Sequence, residues 1–425
     1  MVSQNYLSST RLISEYYTGP IVRLNPDDLH VMDPDFFDEV FNITNGKADK
    51  PYRVANVFGP YPAVCTTYIL RTTKEADKNS NKAIGTKDHD VHRMRRGALN
   101  PFFSKRFVSE LEPFVQAIID KMCNRLDDAC ETGEPIDLNL LNIHVPWLMK
   151  SLYMIPDRLM RVISPAMTDI LDMRERLALQ VEDIRHERDL SHTQSGHRTV
   201  FHELLQSKLS PLEKGRDRLR DEAFSLITAG SGTSAYVLKV LSYHIATNAQ
   251  VQRKLLQELK TVTPQVSSHV DLQTLENLPY LTAVIREGLR MSHPVTHRNS
   301  RTFPERTLIY GGKLIPAGTT ISMTPLLIHE NERIFPDATT FKPERWLKSD
   351  NLQRYLVTFS RGSRSCLGIN LAWAEMYLIV AKVFRRFNFN VDLVVRERDI
   401  DVAKDMIMGV PRSDTKGVVV KVEQV

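Results

Sequence analysis

The sequence predicts a mainly helical α+β protein, a helical bundle with a smaller β-rich region, and three observations support that prediction. Apolar residues recur at helical spacing from about residue 88 to residue 260. The segment 216–248 could exceed ~25 residues as one helix, which is long for a globular protein, so it could cross the whole molecule. Short β-prone runs lie towards both ends of the chain.

The individual elements follow in chain order. Residues 20–70 carry β-prone runs such as IVRLN and YPAVCTTYIL, and VSELEPFVQAIIDKMCNRL opens the helical part. The polar stretch 186–215 predicts a loop. The remaining predictions are a helix at 279–291, strands in TLIYGGKLIPAGTTISM, irregular structure at 325–365, a helix at 368–387 and a β-prone tail, KGVVVKVEQV.

The composition is that of an ordinary globular protein. Of 425 residues, 42% are hydrophobic and 25% are charged, which suffices for a large core. A formal net charge of +5 is too mild to indicate a nucleic-acid partner. The uncharged stretch AFSLITAGSGTSAYVL falls short of the ~18–20 apolar residues of a membrane span, so no transmembrane segment is expected.

The cysteines indicate a reducing compartment. The chain has Cys65, Cys123, Cys130 and Cys366, without a CxxC pair or a Cys/His zinc spacing, and it is too large for a disulfide scaffold. A cysteine that does chemistry here therefore works alone.

The stretch FSRGSRSCLG, residues 359–368, is the strongest chemical signal. A helix is expected from about Gly368, and a helix N-terminus just after Cys366 favours a thiolate. The glycines permit close approach of a flat ligand, and Arg364 can point a guanidinium fork at a carboxylate. Together these features indicate haem with Cys366 as the iron ligand. The alternative is a buried structural cysteine before a helix.

This stretch resembles the haem loop of the cytochromes P450, and two further segments carry the resemblance. Glu287-Gly-Leu-Arg290 matches the family's ExxR motif, and FKPERW supplies Arg345. The resemblance implies a structural Glu287–Arg290–Arg345 cluster. It also implies one P450 domain over 1–425, with a β-rich N-terminal part at about 20–70 and a helical haem-binding part at about 88–425.

The finer resemblance is to filamentous-fungal members, in GPIVRLNPDDLHVMDPDFFDEVF and DHDVHRMRRGALNPFFSKRFV. His92 stands where the family often has Trp, and Arg96 follows one turn later. The resemblance implies that these two residues, together with Arg364 and Arg298, hold the haem propionates; the alternative for Arg298 is a surface arginine. The full cofactor-binding set that it implies is Cys366, His92, Arg96, Arg298, Arg364, Phe359, Gly362, Gly368, Ala229 and Gly230.

The segment AGSGTS, residues 229–234, resembles the oxygen-activating segment of the family. Ala229 and Gly230 would leave room beside the iron, and Thr233 and Ser234 would be the catalytic hydroxyls that help to deliver protons. Gly232 departs from the pattern because the family usually has an acid there. The alternative is a distorted helix without chemistry.

The resemblance implies a haem b monooxygenase that takes electrons from NADPH through a reductase and inserts one oxygen atom into an apolar small molecule, a terpenoid or polyketide. NADPH-cytochrome P450 reductase is the expected partner, cytochrome b5 is a further candidate, and no nucleic acid is expected. Two alternatives stay open: an isomerase or peroxide-using enzyme without a reductase, and a haem-binding protein without turnover from a truncated chain.

The start of the chain bears on its expected location. Microsomal relatives carry a membrane anchor before the point that corresponds to TGPIVRLNP, and no such anchor is expected in the chain as given. The family resemblance implies the cytosolic face of the endoplasmic reticulum, whereas the chain as given is expected to be cytosolic or peripheral, with membrane association left open.

Overall fold

A computed structural model describes residues 19–42, 47–51, 83–138, 165–186, 199–265, 270–348, 350–406 and 408–425. The predicted run YPAVCTTYIL, with Cys65, lies outside these residues. The first predicted strand, IVRLN, forms as expected and pairs with the strand that follows it.

Helices dominate the described chain, as predicted. Their bounds are α1 Phe37–Phe41, α2 His89–Leu99, α3 Lys105–Thr132, α4 Pro165–Arg185, α5 Val200–Gln206, α6 Arg216–Ala246, α7 Ala249–Val262, α8 Leu272–Glu276, α9 Pro279–Ser292, α10 Pro325–His329, α11 Arg345–Lys348, α12 Ile369–Arg386 and α13 Arg396–Asp399. Short 3-10 turns lie at Pro34–Phe36, Asn100–Phe103, Pro211–Lys214, Asp350–Tyr355 and Gly362–Arg364.

The strands form small sheets at the edges of the helical body. Their bounds are β1 Ile21–Asn25, β2 Asp28–Val31, β3 Ile136–Asp137, β4 Asn299–Thr302, β5 Leu308–Tyr310, β6 Lys313–Ile315, β7 Thr320–Met323, β8 Phe387–Asn390, β9 Lys404–Met406, β10 Met408–Val410 and β11 Val419–Gln424. The largest described sheet has the order β1-β2-β7-β4, with β2 parallel to β7 and the other pairs antiparallel. A second sheet, β3-β11-β8, includes the predicted C-terminal strand.

The predicted long helix is α6, which runs for 31 residues and is called the central helix below. It packs against α4, α9 and α12, so much of the helical body is in contact with it. Its buried positions Val237, Val240 and Leu241 share one hydrophobic core with residues of α7, α9 and α12. Within the described ranges, no helix combines the length and the apolar character needed to cross a bilayer.

The loop prediction for 186–215 was wrong at residues 200–206, which form α5. Phe201 and Leu204 lie one turn apart and are buried, so the helix has an apolar face to pack. The backbone N–H of Thr199 donates to Nδ1 of His202 at 3.4 Å, which satisfies one free group at the helix start. The polar composition of the stretch concealed this short element. Residues 187–198 lie outside the described chain.

Candidate cofactor and active site

The loop 359–368, called the Cys loop below, is closed by its own backbone. The N–H of Cys366 donates to the carbonyl of Phe359 at 2.8 Å, and the N–H of Ser365 donates to Gly362 at 3.0 Å. Gly362 has φ +68°, and a Cβ there would lie 2.0 Å from the carbonyl oxygen of Phe41. The close approach at Gly362 is therefore to the backbone at the end of α1, not to a ligand, and only glycine fits.

Cys366 is exposed in the described part of the chain. The atoms packed around its side chain nevertheless raise the pKa of the thiol by desolvation. The N–H of Gly368, at the start of α12, and the nearby charge of Arg96 oppose that rise without cancelling it. The helix N-terminus thus acts in the expected direction, but desolvation outweighs it. A metal cation bound at this sulfur would favour the thiolate.

The central helix is exposed in its middle part. Its first half is buried at 221–225 and its second half from Tyr236, whereas Ala229, Gly230 and Ser231 between them are exposed. Leu367, next to Cys366, packs against the hydrophobic cluster that includes Ala223 and Phe224 of this helix. A Cβ at Gly230 or at Gly368 would meet nothing within 4 Å, so both positions leave space open.

The hydroxyl groups of 229–234 have different partners. Thr233 donates to the carbonyl of Ala229 at 2.7 Å and Ser231 donates to Ile227 at 2.8 Å, each within the central helix. On α12, burial raises the pKa of the Glu375 carboxyl group, and the nearby hydroxyl of Ser234 opposes that rise. At Gly232 a Cβ would lie 3.8 Å from both Sδ and Cε of Met408, so this side of the helix faces a thioether.

Basic side chains gather at the other side of the Cys loop. Arg96 donates to the carbonyl of Ser365 at 2.5 Å, and Arg364 donates to the carbonyls of Thr86 and Lys87 at 2.7 and 2.6 Å. Burial lowers the pKa of Arg364 to about 10, and its Nε is buried without a partner. Both predicted arginines therefore lie at the Cys loop.

The structure adds two basic residues that the sequence analysis missed. Arg301 is buried, and desolvation together with the charge of Arg364 lowers its pKa to about 9. Burial, with the charges of Arg301 and Arg364, also lowers the pKa of Lys50 well below its usual value. We call Lys50, Arg96, Arg301 and Arg364 the basic cluster. In the described part of the chain its three arginines form no ion pair.

Two further predicted residues lie near the basic cluster. His92 is buried, its Nδ1 has no partner, and burial together with the cluster's charges lowers its pKa strongly. Arg298 is half-buried within electrostatic reach of His30 and His297. Its role toward a propionate stays a prediction. The alternation of side chains along β4 is the signal that could have drawn attention to Arg301.

The Glu287–Arg290–Arg345 cluster forms as expected. Arg290 donates to both carboxylate oxygens of Glu287 at 2.8 and 3.0 Å, and Nε of Arg345 donates to Oε1 at 3.1 Å. Trp346, not foreseen from the sequence, adds an N–H bond to Oε2 at 2.8 Å. Glu287 and Arg290 are fully buried, so these bonds stabilise charges that would otherwise be costly inside the protein.

This ion-pair cluster is connected to the Cys loop through His329. Arg290 donates to the carbonyl of His329 at 2.8 Å, and Nε2 of that histidine accepts the N–H of Val357 at 3.1 Å. Two residues later the Cys loop begins at Phe359, whose ring lies 6.4 Å from that of Trp373. The cluster therefore holds the chain that leads into the Cys loop.

The donor set fits haem. An accessible thiol offers one soft ligand for iron, three arginines without an ion pair offer charge for two carboxylates, and positions 230 and 368 leave space open. A structural cysteine would not require buried guanidinium groups beside it. The fold and the site together define the class of haem proteins with a thiolate ligand.

The comparisons with known proteins agree with this class. A family model described as cytochrome P450 matches residues 137–416. The chain is 35% identical to the cytochrome P450 monooxygenase tpcC of Cochliobolus heterostrophus, over 95% of this chain and 85% of the relative. It is 33% identical to the tryptophan 6-hydroxylase fscE of Fusarium equiseti, over 99% and 87%. The N-acetyltryptophan 6-hydroxylase ivoC of Emericella nidulans is 32% identical, over 96% and 85%.

The chain belongs to the cytochrome P450 family. It is an oxidoreductase, a haem b monooxygenase with a cysteine thiolate ligand and electrons from NADPH through a reductase. Its relatives are fungal monooxygenases of secondary metabolism, as the finer resemblance indicated.

Proposed function

We propose that this chain hydroxylates or epoxidises a secondary metabolite in the recess between the Cys loop and the central helix, with Cys366 as the iron ligand. The observation that supports this most directly is the accessible thiol of Cys366, in a loop that packs against the cluster containing residues of the central helix and lies beside the basic cluster. Bound haem would supply the activation of dioxygen, and its thiolate ligand favours O–O cleavage.

The side chains of the protein have separate tasks in this proposal. Arg96, Arg301 and Arg364 hold the propionates, and His92 donates a further hydrogen bond to them. Ala229 and Gly230 keep the central helix narrow beside the iron. Thr233, whose hydroxyl donates to the carbonyl of Ala229, would hold a proton at Oγ1 beside the haem site.

The substrate class is proposed as an apolar small molecule, a terpenoid or polyketide. Two relatives are named as hydroxylases of tryptophan and of N-acetyltryptophan, so aromatic compounds belong in the same test. We further propose NADPH-cytochrome P450 reductase as the electron donor, with cytochrome b5 as an additional donor, and the cytosolic face of the endoplasmic reticulum as the location.

The test is turnover by haem-loaded protein with NADPH-cytochrome P450 reductase and a panel of terpenoids, polyketides, tryptophan and N-acetyltryptophan under isotopically labelled dioxygen. The expected result is a product with one labelled oxygen atom that requires NADPH and is absent for Cys366→Ala. A product that forms without NADPH and without label would instead favour the isomerase or peroxide-using alternative.

A further inference from the structure

Met408, on β10, lies against the central helix at Gly232. A Cβ atom at Gly232 would lie 3.8 Å from both Sδ and Cε of Met408, so the end of the thioether faces the helix at ordinary contact distance. A side chain that extends beyond Cβ at position 232 would take up the space of the thioether. Glycine at 232 therefore gives the Met408 side chain its place beside the helix.

Contacts of the hairpin formed by β9 and β10 fix the direction of Met408. Thr296, in the loop after α9, is buried, and its hydroxyl donates to Oδ1 of Asp405 on β9 at 2.7 Å. A Cβ at Gly409 would lie 3.1 Å from the carbonyl oxygen of His293, so Gly409 faces the same loop. Successive residues of a strand face opposite sides. Met408 therefore faces away from that loop and toward the central helix.

The thioether lies on the face of the central helix that the proposed function places beside the haem. Ala229, Gly232 and Thr233 are three and four residues apart, so they share one face of the helix. In the proposed function Ala229 and Thr233 border the haem site. Met408 is only partly buried among the hydrophobic residues around it, so part of its surface is left for a ligand.

We propose that Met408 is a specificity-determining residue that selects substrates with an aromatic ring at the helix face formed by Ala229, Gly232 and Thr233. This inference rests on the proposed monooxygenase function and narrows its apolar substrates to aromatic ones. A thioether sulfur is soft and polarizable, and its contact with the edge of an aromatic ring contributes roughly twofold to tenfold in affinity. An aliphatic ring of similar size lacks this contact, so the sulfur discriminates between ligands of similar shape.

The first experiment measures this selection with ligands that bind haem iron directly. 1-Phenylimidazole and 1-cyclohexylimidazole are titrated into haem-loaded protein, and each Kd is read from the shift of the Soret band. The preference for phenyl over cyclohexyl should fall roughly threefold or more in Met408→Leu, which conserves volume and removes the sulfur. Met94→Leu is the control, since Met94 is exposed on α2, and should keep the wild-type preference. An unchanged preference in Met408→Leu overturns the proposal.

The second experiment tests the contact between β10 and the central helix. Gly232→Leu extends a side chain into the space of the thioether, so the phenyl preference should fall as it does in Met408→Leu. The variant with both substitutions should show no further fall, because both changes remove the same contact. Falls that add in this variant, or a wild-type preference in Gly232→Leu, would refute the role of the contact.

Two further outcomes separate this inference from the proposed function. If neither azole shifts the Soret band of the wild type, the haem site of the proposed function is wrong. If both azoles bind and Met408→Leu keeps the wild-type preference, only the inference about Met408 is wrong. Should Gly232→Leu fail to bind haem, the volume-conserving Met408→Leu decides alone.

Discussion

Nε2 of His329 accepts the backbone N–H of Val357 at 3.1 Å, and this bond fixes the chain just before the Cys loop. His329 is buried, and burial together with the charges of His293 and Arg290 lowers its pKa well below the usual value. The ring is therefore neutral, and its Nε2 is free of a proton and able to accept.

His329→Ala should destabilise the protein by about 1–3 kcal/mol, because the buried N–H of Val357 loses its acceptor. His329→Gln, which offers an amide oxygen, should lose less. The folded-state pKa lies below the unfolded value of about 6.5, so the wild-type residue costs stability progressively as pH falls below about 6.5. Both variants should lose that part of the acid sensitivity in denaturant titrations at several pH values. If His329→Ala were as stable as the wild type, the assigned hydrogen bond from Val357 to His329 would be contradicted.

Cys366→Ala should abolish the red-shifted Soret band that the reduced carbon monoxide complex of a thiolate-ligated haem shows. Cys123→Ala and Cys130→Ala should keep it, as should Cys65→Ala. Cys123, for example, is fully buried in the hydrophobic core, so its thiol is not accessible to a haem iron. An unchanged spectrum in Cys366→Ala would remove this residue as the ligand.

Arg364→Ala and Arg301→Ala should each weaken haem retention by roughly tenfold or more, since a hydrogen bond to a charged group contributes about 1.5–3 kcal/mol. The measurement is haem transfer to an acceptor apoprotein. Arg106, whose side chain is 90% exposed, provides the control variant Arg106→Ala. If Arg364→Ala and Arg301→Ala both lost haem at the wild-type rate, these arginines would stabilise the fold without binding haem.

Glu287→Ala should cost about 3–5 kcal/mol, because it leaves Arg290 and Arg345 buried without their carboxylate. We expect mostly insoluble or haem-free protein. Glu110→Ala is the control, as that side chain is 55% exposed and pairs only on the surface. Soluble, fully haem-loaded Glu287→Ala would be incompatible with the cluster's structural role.

Two helix glycines should respond in opposite directions to alanine. A Cβ at Gly288 would lie 2.6 Å from Cδ1 of the fully buried Leu241, whereas a Cβ at Gly232 meets Met408 at an ordinary 3.8 Å. Alanine favours a helix by about 1 kcal/mol over glycine at either position. Gly232→Ala should therefore raise the melting temperature. Gly288→Ala should lower it, because overpacking costs about 1–3 kcal/mol. Melting curves that shift alike would contradict the packing at Gly288.

The sequence by itself determined the elements and sites whose signal is local. The apolar period of 216–248 predicted the central helix, and the spacing of Glu287 and Arg290 places them one turn apart on any helix. The Cys loop was recognisable because its residue types are fixed by nearby backbone geometry. The loop prediction was wrong at 200–206. Two buried side chains stabilise a short helix there, and the polar composition of the stretch does not reveal their burial.

Contacts between distant segments were decided by the tertiary structure. Arg298 and Arg301 are alike in sequence, and only the folded chain shows that Arg301, which pairs with Ile321 across β4 and β7, lies within electrostatic reach of Arg364. The glycine at 362 is required by the carbonyl of Phe41, and the indole N–H of Trp346 reaches Glu287 on another helix. A local sequence pattern cannot predict such pairs. The packing of the helices and sheets sets which side chains face each other, and the pairs form only then.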